Sequence, residues 1–276
     1  MHSKIGQLNK PVVDLEAQGR LLVVRTRNLD VDLPASGGRG NVDVFSRSSR
    51  IRLLRKIARV APVPSKGFRS NVSFLTLTTR AFFHPREAKA YLRAFLKRLY
   101  RKFPRVAVIW RMEYQKRGAP HFHLILYNCP YVDKVWIQEQ WGEIVGQEMP
   151  FTRIEAIRSY KHLVNYASKY AAKIDDCGFN IGAYLAAGEN VDEYKSQSAG
   201  RVWGVWHRDS LPWAEKLEKS IPCDGAWWMV RRYCMKFYPW IEESSEFGFT
   251  VFCEDPYHAL EHIVTMSKYF VGESVS

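Results

Sequence analysis

The spacing of hydrophobic positions changes along the chain, and each change predicts a new element. NVSFLTLTT, from Asn71, alternates in a strand-like way and is rich in β-branched and aromatic residues. An amphipathic helix is predicted from Pro85 to just before Pro104. Its apolar stripe consists of Ala88, Tyr91, Leu92, Phe95, Leu96 and Leu99. Residues 105–114 and 121–127 then predict two strands that form a hairpin, because Gly118 and Pro120 between them indicate a turn.

Three more predicted elements complete the central part of the chain. A second amphipathic helix follows the hairpin, then a strand near 151–157, then a helix from about Ser159 to Ile174. The apolar positions of the second helix are Val132, Val135, Trp136, Trp141, Ile144 and Val145. The order β-α-β-β-α-β predicts an α+β, ferredoxin-like fold, in which helices cover one face of an antiparallel sheet. The other face is then left for a ligand.

The flanks divide the chain into three predicted parts. Residues 1–65 form a basic N-terminal extension, 66–207 a catalytic domain, and 208–276 an aromatic-rich C-terminal extension with an acidic end. In the first part, SRSSRIRLLRKIARV predicts a basic amphipathic helix with Ile51, Leu54 and Ala58 at helical spacing. Its bases either contact DNA phosphates or form a solvated face. They are Arg47, Arg50, Arg55, Lys56 and Arg59.

The C-terminal part is harder to interpret. GRVWGVWHR, from Gly200, predicts a strand, and CDGAWWMVRRYCMKFYPW, from Cys223, fits either a helix or a strand. The charge of this part is uneven, because residues 241–276 hold seven carboxylates against Lys268. They carry −6 of a total of +13, so residues 1–240 carry +19. A basic body rich in aromatic rings suits a polyanion with stackable bases, and nucleic acid is the first partner to consider.

Several classes of protein are disfavoured. The five cysteines are odd in number, widely spaced and without a CxxC pair, so we expect a reducing compartment and no disulfide framework or zinc knuckle. The N-terminus lacks an apolar signal core and no run is long enough to span a bilayer, so we expect a cytoplasmic protein without a membrane partner. No GxxxxGK[ST] phosphate loop occurs, which argues against a fused helicase.

The hairpin carries a candidate metal site. His121 and His123 are two apart on a predicted strand and therefore lie on one sheet face. If Arg117 lies near the turn centre, Glu113 is opposite His121 on the same face. Two imidazoles and a carboxylate can hold a divalent ion with open coordination positions. Mg²⁺ or Mn²⁺ fits a phosphodiester substrate, and zinc or nickel is also compatible. Ordinary hydrogen-bonded or surface histidines are the alternative.

The last predicted helix of the central part carries two tyrosines. Tyr166 and Tyr170 are four residues apart, which brings their hydroxyls to one region. Lys169 and Lys173 each follow a tyrosine by three residues and can stabilise developing negative charge. The alternative is that both tyrosines only edge the core.

Taken in order, these motifs resemble those of the HUH endonucleases, specifically the two-tyrosine rolling-circle replication initiators of small single-stranded DNA phages and related plasmids. FLTLT (residues 74–78) looks like the first motif of the family, and HFH (residues 121–123) is similar to its histidine-hydrophobe-histidine motif. YASKYAAK (residues 166–173) resembles the YxxKYxxK motif, and GRVWGV looks like a segment that often follows. The resemblance covers about residues 70–207.

The resemblance implies that Glu113, His121 and His123 bind Mg²⁺ or Mn²⁺ and that Tyr166 and Tyr170 alternate as nucleophiles. The expected function is nicking and rejoining of single-stranded DNA at a replication origin in a bacterial host cell, with host helicase and DNA polymerase as partners. A conjugative relaxase or a transposase would use the same chemistry. Two alternatives of other classes are a non-catalytic single-strand binder and a metal-dependent phosphoesterase that uses activated water.

Overall fold

The computed structural model describes residues 11–27, 45–61, 71–81, 83–115, 118–129, 131–158, 163, 200–222, 226–237, 241–245 and 248–272. Ten strands lie in these ranges: β1 Val12–Gln18, β2 Leu21–Arg27, β3 Ser73–Thr78, β4 Ala107–Tyr114, β5 Pro120–Tyr127, β6 Thr152–Ala156, β7 Trp203–Trp206, β8 Lys216–Pro222, β9 Ile241–Ser245 and β10 Gly248–Phe252. The helices are α1 Arg47–Ala58, α2 Pro85–Lys102, α3 Lys134–Val145, α4 Ala226–Phe237 and α5 Pro256–Gly272, with a short 3₁₀ helix at Arg208–Ser210.

The described elements confirm the α+β class, and they fall into two compact units. The central unit comprises residues 38–57 and 63–212. The terminal unit comprises residues 1–37, 58–62 and 213–276. Each unit contains one antiparallel five-stranded sheet.

The central sheet has the strand order β6-β3-β5-β4-β7. Its first four strands and the helices α2 and α3 follow the predicted order β-α-β-β-α-β. The predicted hairpin is confirmed, with Glu113 directly opposite His121. Gly118 has φ 81°, a left-handed conformation that glycine adopts without steric cost, and it lies in the turn between β4 and β5. The ferredoxin-like assignment stays a prediction.

The helices α2 and α3 pack on one face of this sheet. The apolar stripe predicted for α2 is buried, apart from the half-buried Tyr91. Trp141 of α3 is fully buried, with its ring 6.0 Å from the rings of both Phe95 and Phe122. Its indole N–H donates to the backbone carbonyl of Thr78 at 2.9 Å, which fixes α3 to the end of β3.

The stripe predicted for α3 is partly wrong. Val135 is 56% exposed, and Ile137, which the prediction left out, is buried. Val135 lies in the first turn, where its backbone N–H donates to the N-cap residue Asp133. The hydrophobic residues of α3 cover a wider arc than the sheet buries, so their spacing alone could not fix the rotation of the helix.

The helix α1 lies against the opposite face of the central sheet. Trp203 of β7 donates its indole N–H to the Ser49 hydroxyl of α1 at 2.8 Å. The buried apolar residues of α1 include Leu53 and Ile57, whereas Ile51 and Leu54 are only half-buried. Of the predicted apolar positions, Ala58 is buried. The side predicted from Ile51, Leu54 and Ala58 was therefore partly misplaced. The basic segment 47–58 is helical as predicted, and it packs on the sheet face that was expected to be left for a ligand.

The terminal unit combines strands from both ends of the chain, in the order β8-β1-β2-β10-β9. Its core includes Leu15, Val24, Trp227, Val251 and Ile263, which belong to β1, β2, α4, β10 and α5. The segment that fitted either a helix or a strand contains the helix α4. The boundaries predicted after residues 65 and 207 stay predictions. In this unit β1 pairs with both β2 and β8, which the alternation of residues within single strands did not indicate. None of the described helices is long and apolar enough to cross a membrane.

The N-cap of α3 gives a test of this local structure. Asp133 accepts hydrogen bonds from the backbone N–H groups of Val135 and Trp136 at 2.7 and 3.0 Å. We expect Asp133→Ala to lower the free energy of unfolding by about 1 kcal/mol, because two N–H groups lose their acceptor. Asp133→Asn retains a good cap and is the control in urea unfolding. Equal stability of both variants and the wild type would contradict the assignment.

Candidate metal centre

Three neighbouring strands bring the candidate ligands together. In the register of the sheet, Glu113 of β4 and Thr78 of β3 both lie opposite His121 of β5. Glu113, His121 and His123 each offer one ligand atom, and these three atoms lie within 4.8 Å of one another. Two ligands on opposite sides of a small divalent ion would be about 4.2 Å apart, since each bond is about 2.1 Å. The separations in the cluster are therefore close to the size that the ligands of one ion require.

His123 is the more enclosed of the two histidines. It is 6% exposed, and its Nε2 lies 2.9 Å from Oε1 of Glu113. The ring of Phe74 stacks on it with 5.7 Å between centroids, and the His121 ring meets it edge-on at 4.4 Å. These contacts allow the imidazole little rotation, so the direction of its nitrogen atoms is set before any ion arrives.

His121 is oriented by Thr78. The Thr78 hydroxyl lies 2.7 Å from Nδ1 of His121, and either group can be the donor. When His121 donates its Nδ1–H to the hydroxyl, its Nε2 lone pair is available to a metal ion. The contact with Thr78 is therefore compatible with the tautomer that a ligand needs, and it fixes the orientation of the ring. Thr78 is the last residue of the FLTLT segment, and the residue pattern alone gave it no role beside His121.

Arg111 is a second residue that sequence reasoning missed. Its side chain is 3% exposed and its Nη2 lies 3.6 Å from Oε2 of Glu113. The guanidinium also lies over the ring of Phe45, 4.5 Å from its centroid. Arg111 is two residues before Glu113 on β4, so the same parity argument that found Glu113 also places Arg111 on this face. One carboxylate oxygen thus faces Arg111 and the other faces His123.

The cluster fits a divalent cation by its chemistry. Two imidazoles and one carboxylate form a mixed nitrogen and oxygen set, which suits first-row divalent metals and leaves coordination positions for a substrate. The carboxylate–imidazole contact joins Oε1 of Glu113 to Nε2 of His123. The identity of the ion does not follow from this donor set.

The predicted nucleophile segment lies outside the described residues. This applies to Tyr166, Tyr170, Lys169 and Lys173. Leu163, which precedes these residues in the same predicted helix, is buried.

The basic residues proposed to contact DNA differ in their surroundings. Arg59 forms an ion pair with Glu16, with 2.6 Å between Nη2 and Oε1, and its side chain is 23% exposed. Arg50, Arg55 and Lys56 are half-buried. The side chain of Arg47 lies outside the described residues.

The described cysteines do not contribute a reactive thiolate. Cys129, Cys234 and Cys253 are free thiols. Burial raises the pKa of Cys129 and Cys234 to about 12 and that of Cys253 to about 11. Each of these thiols is therefore protonated at neutral pH, which disfavours it as a nucleophile or a metal ligand.

Comparison with known proteins adds an independent observation. The model of a family of replication-associated proteins, the ORF2 type, matches residues 72–175, which span the candidate metal centre and both tyrosines. This match supports a role in replication initiation. A crystal structure of the hypothetical protein ORF119 from Sulfolobus islandicus rod-shaped virus 1 is similar at 17% identity and a TM-score of 0.29, over 45% of this chain and 96% of that one. A search of curated proteins finds no match.

The contact between Thr78 and His121 predicts a measurable effect on metal affinity. We expect Thr78→Val to weaken Mn²⁺ binding by about 10- to 100-fold, because His121 loses the partner that orients it. Thr78→Ser keeps the hydroxyl and should bind nearly as the wild type does. Isothermal titration calorimetry on purified protein checks both variants.

The double substitution His121→Ala, His123→Ala should abolish Mn²⁺ binding in the same titration. Retention of stoichiometric binding by that variant would show that the ion binds elsewhere.

Proposed function

We propose that this protein is a site-specific single-stranded DNA endonuclease and ligase that nicks a replication origin and so initiates and terminates rolling-circle replication. The observation that carries the proposal is the convergence of Glu113, His121 and His123 within 4.8 Å on one face of the central sheet. The match of residues 72–175 to a replication-associated family supports the choice of DNA as substrate.

In this proposal the three ligands hold Mg²⁺ or Mn²⁺, which would polarise the scissile phosphate. Thr78 holds the orientation of the His121 ring through its hydrogen bond to Nδ1. Arg111 holds one oxygen of Glu113, so the carboxylate turns its other oxygen toward the histidines. The residues of the sheet thus supply a rigid support for the phosphate, and the reacting groups come from elsewhere in the chain.

Tyr166 and Tyr170 are the proposed nucleophiles. The phenol oxygen attacks phosphorus and releases its proton to water, the bond between phosphorus and the 3′ oxygen breaks, and that oxygen takes up a proton from water and leaves as a 3′-hydroxyl. The product is a 5′-phosphotyrosyl link. A phenol has a pKa of about 10 in water, so Lys169 and Lys173 are proposed to stabilise the developing charge.

The two tyrosines divide the reaction cycle. The first tyrosine releases a 3′-hydroxyl, which primes synthesis by a host polymerase. The second tyrosine cuts the regenerated junction after one round. The covalent link conserves the energy of the phosphodiester bond, so rejoining needs no ATP. Unwinding falls to a host helicase in the bacterial cytoplasm. Arg47, Arg50, Arg55 and Lys56 of α1 are proposed phosphate contacts on the flanking strand.

Adduct formation tests this function. Labelled single-stranded origin DNA incubated with the protein and Mn²⁺ should yield a complex that survives denaturation. We expect Glu113→Gln and His123→Ala to lower its yield by at least about 100-fold, since an incomplete ligand set no longer holds the ion. Tyr166→Phe and Tyr170→Phe, made singly and together, identify the attacking hydroxyl.

Persistence of the adduct in the double tyrosine variant would rule out both nucleophiles. Metal-dependent cleavage by the wild type without any adduct would instead indicate a phosphoesterase that uses activated water. A relaxase or a transposase of the same chemistry would cut transfer-origin or element-end sequences in preference to a replication origin.

A further inference from the structure

A basic groove with aromatic walls lies on the face of the central sheet that carries α2 and α3. Its volume is about 590 Å³. It is lined by Arg86, Lys89, Leu92, Arg93, Leu96, Trp110, Arg201 and Trp206. Trp110 and Trp206 belong to β4 and β7, and the remaining lining residues except Arg201 belong to α2. Four of these residues are cationic, namely Arg86, Lys89, Arg93 and Arg201.

The groove does not share a sheet face with the metal ligands. Side chains alternate along a strand, so Trp110 points away from the side that carries Arg111 and Glu113. The same alternation on β7 places Trp206 away from Trp203, which contacts α1. The strand β7 is an edge of the central sheet, so a chain that passes around this edge would reach both faces.

Positive charge is concentrated along α2. This helix contains seven lysines and arginines against the single carboxylate of Glu87. The pKa of Lys89 is lowered by burial and by the neighbouring charges of Arg86 and Arg93. Crowding of like charges is unfavourable in the isolated protein, and a bound anion would relieve it. A polyanion is therefore the type of ligand that suits this side.

Two indole rings provide flat surfaces in the same groove. The Trp110 ring covers Gly204, where a Cβ atom would lie 2.9 Å from the ring. Trp206 stacks on His207 with 5.5 Å between centroids and 13° between planes. Both indoles are half-buried. Aromatic faces beside a row of cations are the combination with which proteins bind unpaired nucleic acid bases and their phosphates.

We propose that this groove binds a segment of single-stranded DNA remote from the metal centre, with Arg86, Lys89, Arg93 and Arg201 on phosphates and Trp110 and Trp206 against bases. The inference rests on the proposed function for the identity of the polyanion, and it does not require the nicking reaction. Unpaired bases are specified because a duplex keeps its base faces stacked internally and could offer the indoles no partner.

Binding without metal tests the proposal. Fluorescence anisotropy with labelled oligodeoxythymidylate in EDTA measures affinity at several salt concentrations. We expect the double variant Arg86→Ala, Arg93→Ala to bind at least about tenfold more weakly and to reduce the salt slope by about 1.4, since two phosphate contacts are lost. Trp206→Leu should weaken binding about tenfold with an unchanged slope, because stacking does not depend on counterions.

Lys102→Ala is the matched control, because it removes a positive charge from the same helix. Lys102 lies over the Trp136 ring and does not line the groove. It should change affinity less than about twofold. Ultraviolet cross-linking of wild-type protein to 5-iodouracil DNA, followed by peptide mapping, should give adducts at Trp206 or Trp110. This measurement needs no variant to fold.

Unchanged affinity and slope in the arginine variant, or cross-links confined to other tryptophans, would overturn the proposal. Equal affinity for duplex and single strand would also overturn it, because it would leave no role for the indoles. Absence of any covalent adduct from the wild-type protein with Mn²⁺, together with binding that depends on Arg86, Arg93 and Trp206 as expected, would refute the proposed function alone.

Discussion

The pairing register of β3, β4 and β5 is the constraint on which the candidate site depends. Because strands repeat every two residues, Thr78, His121 and Glu113 occupy matched positions on three adjacent strands and face the same side. A shift of one residue in either pairing would turn one of these groups to the opposite face. The buried Phe122, which packs on Trp141 from that opposite face, opposes such a shift. The packing of α2 and α3 on one face of the sheet thus holds the register of the candidate ligands on the other face.

The sequence predicted this region well because its signals are local. The two strands of the hairpin, the turn at Gly118 and the pairing of Glu113 with His121 all depend on residues within one short segment. The roles of Thr78 and Arg111 could not be predicted in this way, because they depend on contacts between distant segments. Thr78 reaches His121 across a pairing of distant segments, and Arg111 is held by Phe45 from a different part of the chain. A single sequence does not specify such contacts.

The same distinction explains the rest of the fold. The packing side of α1 was partly misplaced because Leu53 and Ile57, with Ile51 and Leu54, form an apolar arc too broad to indicate which part meets the sheet. The terminal sheet joins β1 and β2 to β8 and β10, which are separated by most of the chain. Alternation within a strand predicts that it has a buried face, and it carries no information about its neighbours. The nucleophile segment remains known from its residue pattern alone.

Arg111 gives the candidate centre an internal counter-ion. With neutral imidazoles, the guanidinium and the Glu113 carboxylate already balance, so an added dication raises the local charge by two in a region largely shielded from water. A phosphodiester anion arriving beside it offsets part of that excess. If the centre binds a metal ion and a DNA strand as proposed, ion occupancy and strand affinity would be thermodynamically linked, and each would raise the other by the same factor. Because of this reciprocity, the ion would bind weakly to the free protein and more tightly once a nucleic acid backbone is in place.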